Sequence, residues 1–129
     1  MVESHQLFIS IGTNINQEEK LTLAKNMLRG LFSNIVFSSE IWTEPIGIQT
    51  DEFLNCIAMA STKHGLKQVE RALKQIERRC GDTKSKRTEN IISMDIDILQ
   101  YGDEKFHVED WKRDYVTKLM TELTGQEDN

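Results

Sequence analysis

The chain has 129 residues, of which 38% are apolar and 29% charged, and its formal net charge is −5 from 16 basic and 21 acidic side chains. That balance suits a folded chain of about one domain and excludes a disordered tract. The acidic excess argues against a general nucleic-acid binder.

Leu7-Phe8-Ile9-Ser10-Ile11 predicts a first strand, ended by a turn at Gly12-Thr13-Asn14. From Gln17 to Phe32, Leu21, Ala24, Met27, Leu28 and Leu31 recur at helical spacing. Ile35-Val36-Phe37 through Ile41-Trp42 predicts a second strand, broken at Thr43-Glu44-Pro45-Ile46-Gly47 by the only proline of the chain. Phe53 to Ser61 predicts a third strand, with Phe53, Asn55, Ile57 and Met59 on one face and Leu54, Cys56, Ala58 and Ala60 on the other. Leu66, Val69, Leu73 and Ile76 predict a second helix up to Cys80, with Gly81 as its stop. A polar, basic loop is expected from Asp82 to Asn90, a fourth strand within Ile91 to Tyr101, and a last helix from Val108 to Leu123. Residues 124–129 are expected to fray.

Strand, helix, strand, strand, helix, strand is the order of a ferredoxin-like α+β fold, an antiparallel sheet with both helices on one face. No repeat or linker divides the chain, so a single domain over residues 1–129 is expected. Cys56 and Cys80 form no disulfide framework. Met1 to Gln6 contains no basic region leading into an apolar core, and no apolar run approaches the ~20 residues of a membrane span. The cytoplasm is therefore the expected compartment, and no membrane partner is expected.

The most informative stretch is Met94-Asp95-Ile96-Asp97-Ile98-Leu99. On a strand Asp95 and Asp97 share one face, about 7 Å apart at Cα, while Met94, Ile96 and Ile98 share the other. Two carboxylates so close repel unless a cation lies between them. A hard cation, Mg²⁺ with a polyphosphate, would satisfy both; an edge strand with a wet acidic face is the alternative.

Four pieces occur in order: Ile11-Gly12-Thr13-Asn14, Trp42-Thr43-Glu44-Pro45-Ile46-Gly47, Phe53-Leu54-Asn55, and Asp95-Ile96-Asp97 followed by Gly102. Together, over about residues 7 to 102, they resemble the 6-hydroxymethyl-7,8-dihydropterin pyrophosphokinases of folate biosynthesis. The resemblance implies a ferredoxin-like fold and transfer of pyrophosphate from ATP to a reduced pterin, leaving AMP. By the same resemblance Asp95 and Asp97 bind Mg²⁺, and Thr43, Pro45 and Ile46 form a loop facing the pterin. Asn55 then reads the pterin ring with its amide, and Phe53 lines the same pocket, or else the two simply cap backbone and fill core. Glu77 stands near the nucleotide or is a solvated helix charge. Ile98 lines the adenine side or is plain core. Lys84, Lys86 and Arg87 supply positive charge to the triphosphate or form a solvated basic loop, and loop 82–93 is expected to be mobile and to close over bound ATP.

The pattern also departs from the family. Gly81 is followed by Asp82 where the family has Arg; Glu89 replaces a pterin-covering aromatic, and Ile92 replaces a phosphate-gripping Arg. The family's Pro-His and Arg-x-Phe elements near the C-terminus are not matched, so no role falls to His107, and Trp111 to Tyr115 is expected to cover that gap. The chain thus reads as a divergent, C-terminally shortened relative. A catalytically inactive relative serving as a binding or interaction protein is the alternative.

Overall fold

A computed structural model describes residues 3–45 and 50–125. Ile46 and Gly47 of the expected pterin-facing loop, and residues 126–129 of the expected frayed tail, lie outside the described residues.

The elements run β1 (His5–Thr13), α1 (Gln17–Leu31), β2 (Val36–Phe37), β3 (Ile41–Thr43), β4 (Phe53–Thr62), α2 (Leu66–Arg79), α3 (Lys84–Thr88), β5 (Asp95–Tyr101), β6 (Glu104–Lys105), a 3-10 turn (Asp110–Lys112) and α4 (Asp114–Thr124). Among the described residues the strands make one six-stranded sheet ordered β2-β4-β1-β5-β6, with β3 also paired to β4. Every pairing is antiparallel, which is the ferredoxin-like arrangement the element order predicts.

The alternation of strand side chains divides the core into two. Leu7, Ile9 and Ile11 of β1, Cys56 and Ala58 of β4, and Ile96 and Ile98 of β5 pack against Leu21, Ala24 and Leu28 of α1 and Val69, Leu73 and Ile76 of α2. Both of these helices lie on one face, as expected. The opposite face carries Phe8, Ile57 and Leu99, covered by Val116 and Leu119 of α4. Beyond that apolar patch the same face turns polar: Ser10 and Gly12 of β1 stand between Asn55 on β4 and Asp95 and Asp97 on β5. The first turn of α4 reaches this polar end, where Tyr115 lines a cleft together with Asp95 and Asp97.

Several local expectations are corrected. Gly12 is not a turn residue: β1 runs on through Thr13, and Gly12 is paired to both Asn55 and Asp95. The second strand is split into β2 and β3, each paired to β4. Within the expected loop 82–90 the chain forms α3, capped by the Thr83 hydroxyl, which accepts a hydrogen bond from Lys86 N–H at 3.1 Å. The last helix is a 3-10 turn followed by α4, while the fourth strand lies within its expected stretch, as β5. Thr124, placed in the frayed tail by the sequence, closes the last turn of α4. Gly81 does stop α2, with φ of 100°. The exposed carbonyls there are satisfied by two ammonium groups, Lys20 on Cys80 O and Lys86 on Gly81 O. Among the described residues no helix is long and apolar enough to cross a membrane.

Candidate active site

Asp95 and Asp97 project from β5 on the α4 side, with side chains 40% and 33% exposed. They stand where two clefts meet. The first, about 240 Å³, is bounded by Gly12, Thr43, Pro45, Phe53 and Asn55 on one side and by Asp110, Arg113 and Tyr115 on the other. The second, about 870 Å³, is bounded by Lys74, Glu77, Arg78, Asp82, Lys84 and Arg87. Both clefts share Asp95 and Asp97.

The carboxylate pair is electrostatically frustrated. The carboxyl of Asp97 is pushed up to about 7, first by burial, then by the charge of Asp95 and a hydrogen bond shared with it, with smaller contributions from Glu77 and Asp110. Asp95 has a cationic neighbour, Arg87 Nη2 at 3.3 Å, and His107 Nε2 lies 3.8 Å from Asp97 Oδ1. Among the described residues no group of three or more His, Cys, Asp or Glu is arranged to hold a metal. Two carboxylates short of cationic charge nevertheless fit Mg²⁺, which characteristically takes one or two protein carboxylates and completes its shell with water and phosphate oxygens.

In the first cleft Asn55 is nearly buried, and its Nδ2 donates to Thr43 Oγ1 at 2.7 Å. Its Oδ1 occupies the space a side chain at Gly12 would need: a Cβ built there lies 2.6 Å from it. Gly12 is thus required by the close approach of Asn55, not by a turn. Thr43, Pro45, Phe53 and Asn55, expected together from the sequence, do converge on this cleft. Ile46, expected with them, is not among the described residues.

In the second cleft the expected nucleotide residues fare unequally. Glu77 is buried rather than a solvated helix charge, and its Oε2 accepts from Ile96 N–H at 2.7 Å. Arg87 donates from Nε to Asp82 Oδ1 at 2.6 Å and from Nη2 to Met94 O at 3.1 Å and Asp95 Oδ1 at 3.3 Å. Burial works against the guanidinium charge, but Asp82 and Asp95 outweigh it and hold the group firmly ionised. Asp82, the departure after Gly81, is therefore the anchor that orients Arg87 at the carboxylate pair. Lys84 lines the cleft. Lys86 is turned away to Gly81 O at 2.9 Å. Ile98 is buried in the core under α1 and α2 and lines neither cleft.

Sequence reasoning missed the far wall of the first cleft. The Arg113 guanidinium lies 4.5 Å over the Tyr115 ring and donates to its hydroxyl at 3.3 Å. Burial is the first cause holding the Tyr115 hydroxyl above its usual range; Arg113 opposes it, and Asp110, Asp95 and Asp97 reinforce it. It stays a neutral hydroxyl. The available signal was Arg113-Asp114-Tyr115, which keeps an Arg-x-aromatic spacing with Tyr in place of Phe, together with His107 six residues before Arg113.

An antiparallel ferredoxin-like sheet carrying paired carboxylates between two clefts makes this an α+β protein with its candidate site at the end of the sheet. The family model described as 7,8-dihydro-6-hydroxymethylpterin-pyrophosphokinase (HPPK) matches residues 8–125, and the chain belongs to that family. The match reaches beyond the motifs ending at Gly102 and takes in His107, Arg113 and Tyr115. No curated protein matches the chain.

Proposed function

We propose that this member of the pterin pyrophosphokinase family transfers the β,γ-pyrophosphoryl group of ATP to the hydroxymethyl oxygen of 6-hydroxymethyl-7,8-dihydropterin. The hydroxymethyl oxygen attacks the β-phosphorus, the bond from that phosphorus to the α–β bridging oxygen breaks, AMP leaves, and the hydroxyl proton is released. The observation that carries this reading is the sharing of Asp95 and Asp97 by two clefts of different size. A small planar acceptor suits the first and a triphosphate chain the second, so that the reacting atoms meet at the carboxylates.

Asp95 and Asp97 would hold Mg²⁺, which supplies charge neutralisation to the triphosphate. Asn55, fixed by Thr43, presents an amide to the acceptor ring, with Phe53, Pro45 and Tyr115 as walls. Ile46, which lies outside the described residues, joins this pocket on the family resemblance alone. Arg87 and Lys84 meet the phosphates, and Glu77 holds the strand edge between the two acids. Positioning and charge neutralisation suffice, and no side-chain nucleophile is needed.

Incubation with MgATP and the pterin alcohol should yield AMP with the unmodified protein and none with Asp95→Ala or Asp97→Ala that remain folded by circular dichroism. A second reading, a relative that binds but does not transfer, is favoured by Ile92, which cannot grip a phosphate as Arg would. Pterin binding in calorimetry without any AMP would establish that second reading.

A further inference from the structure

The chain turns out of α2 at Gly81, and polar side chains from three separate segments meet there. Gly81 has φ of 100° and, lacking a Cβ, leaves the space over its Cα to its neighbours. The Cβ of an alanine at this position would lie 3.2 Å from Lys20 Nζ, 3.3 Å from Lys86 Nζ and 3.7 Å from Ser93 Oγ. Lys20 comes from α1 and Lys86 from α3, while Ser93 precedes β5. Each ammonium uses one N–H on a carbonyl, Lys20 on Cys80 O and Lys86 on Gly81 O at 2.9 Å. An ammonium has three donors, so each lysine keeps two more. Among the described residues neither lysine makes an ion pair. Ser93 is 1% exposed, yet its hydroxyl has no hydrogen-bond partner among the described residues. No fully enclosed side-chain donor or acceptor is left unpaired among them, so this hydroxyl keeps an opening to the outside.

We propose that Lys20, Lys86 and Ser93 form a binding site for a phosphate group over Gly81, separate from the two clefts. Two ammonium groups brought to one point without an acidic counter-ion repel each other, and an anion between them reverses the balance. Capping of α2 does not account for the arrangement, because a helix end offers only partial negative charge, which two full cations exceed. Nor does capping account for a hydroxyl buried beside them, whose lost hydration is made good only when a ligand oxygen meets it. A phosphate presents several acceptor oxygens in a tetrahedron, enough for the remaining ammonium donors and the hydroxyl together. Glycine suits position 81 because any side chain would stand where the ligand sits. None of Lys20, Lys86 and Ser93 lines either cleft, so the site stands whether or not the chain transfers pyrophosphate.

The test titrates inorganic phosphate into the full chain at constant ionic strength, with chloride making up the difference. The amide resonances of Gly81 and Ser93 should shift along a saturable curve, and chloride alone should leave them in place. Affinity should fall about tenfold in Ser93→Ala and about tenfold or more in Lys20→Met and Lys86→Met. Lys84→Met, on the same short helix but lining the second cleft, should bind phosphate with the original affinity. Ser93→Ala removes no hydrogen bond of the free protein, so it should fold as before, and it decides the matter where a lysine variant does not fold. Repeating the titration with magnesium and α,β-methylene-ATP saturating identifies where the phosphate comes from. A free anion still shifts both resonances, whereas a nucleotide phosphate seated over Gly81 has already shifted them and does so less tightly in Ser93→Ala. An equal response to chloride, a response that does not saturate, or an unchanged phosphate affinity in Ser93→Ala overturns the proposal.

Discussion

The carboxylate of Glu77 accepts a hydrogen bond from the backbone N–H of Ile96, the residue between Asp95 and Asp97. β5 has a partner strand on only one side at this point, because β6 reaches no further than Gln100 and Tyr101. A side chain from α2 thus does what a neighbouring strand would do, and it fixes the height and twist of the two acids. Burial is the main force raising the Glu77 carboxyl; the Ile96 bond, Lys74 and Arg87 oppose it, and Asp95 adds to it.

Replacing Glu77 by Ala should leave the Ile96 N–H without a partner and destabilise the protein by about 1–3 kcal/mol. Urea denaturation measures the loss. Exchange of the Ile96 amide should accelerate beyond what the global change accounts for, and a rate tracking global stability alone would refute the edge-holding role.

Asp97 makes stability depend on pH in an unusual direction. Its carboxyl is raised from 3.8 to about 7, so between those values the folded protein binds more protons than the unfolded chain. The associated stability is fully present below the unfolded value and is lost as pH rises through the folded one. The melting temperature of the metal-free protein should therefore fall from pH 5 to pH 8 more steeply than that of Asp97→Asn. Magnesium, by favouring the ionised pair, should flatten the slope in the unmodified protein only. A melting temperature that rises across this interval in metal-free buffer would contradict the assignment.

At Gly12 the Cβ of an alanine would sit 2.6 Å from Asn55 Oδ1. Gly12→Ala should push the Asn55 amide off Thr43 and cost about 1–3 kcal/mol of stability through overpacking. Binding of 6-hydroxymethylpterin, followed by calorimetry, should weaken at least as much as in Asn55→Ala. Gly12→Ala with undiminished binding would remove Asn55 from the acceptor cleft.

Arg87 is held by Asp82 yet reaches Asp95, so its loss should act mainly on the nucleotide side. Arg87→Ala is expected to raise KM for ATP by about tenfold or more, the worth of a charge-assisted hydrogen bond, while leaving pterin affinity within about twofold. Asp82→Ala should show a smaller effect of the same kind, since it frees Arg87 without removing it. Equal effects on both substrates would place Arg87 in a purely structural role.

The parts of this site that a strand's alternation determines were legible in advance. Asp95 and Asp97 share a face because side chains on a strand repeat every second residue, and Asn55 and Phe53 follow from the same rule on β4. What escaped depends on distance in sequence. Glu77 finds a backbone partner 19 positions away, and no side-chain pattern records such a bond. α3 has five residues, too few to display helical periodicity. Gly12 looks like a turn residue until Asn55 is set opposite. Arg113 and Tyr115 gain their meaning only when α4 packs on Phe8, Ile57 and Leu99 and so carries its first turn to the carboxylates.

That last placement bears on how the protein is made. The walls of the smaller cleft come from Ser10 to Gly12 at one end of the sequence and from Asp110 to Tyr115 about a hundred residues later. A polypeptide still emerging from the ribosome can form much of the sheet yet has no enclosed acceptor pocket until residue 115 has been added and docked. The smaller cleft is consequently among the last features this molecule acquires during synthesis.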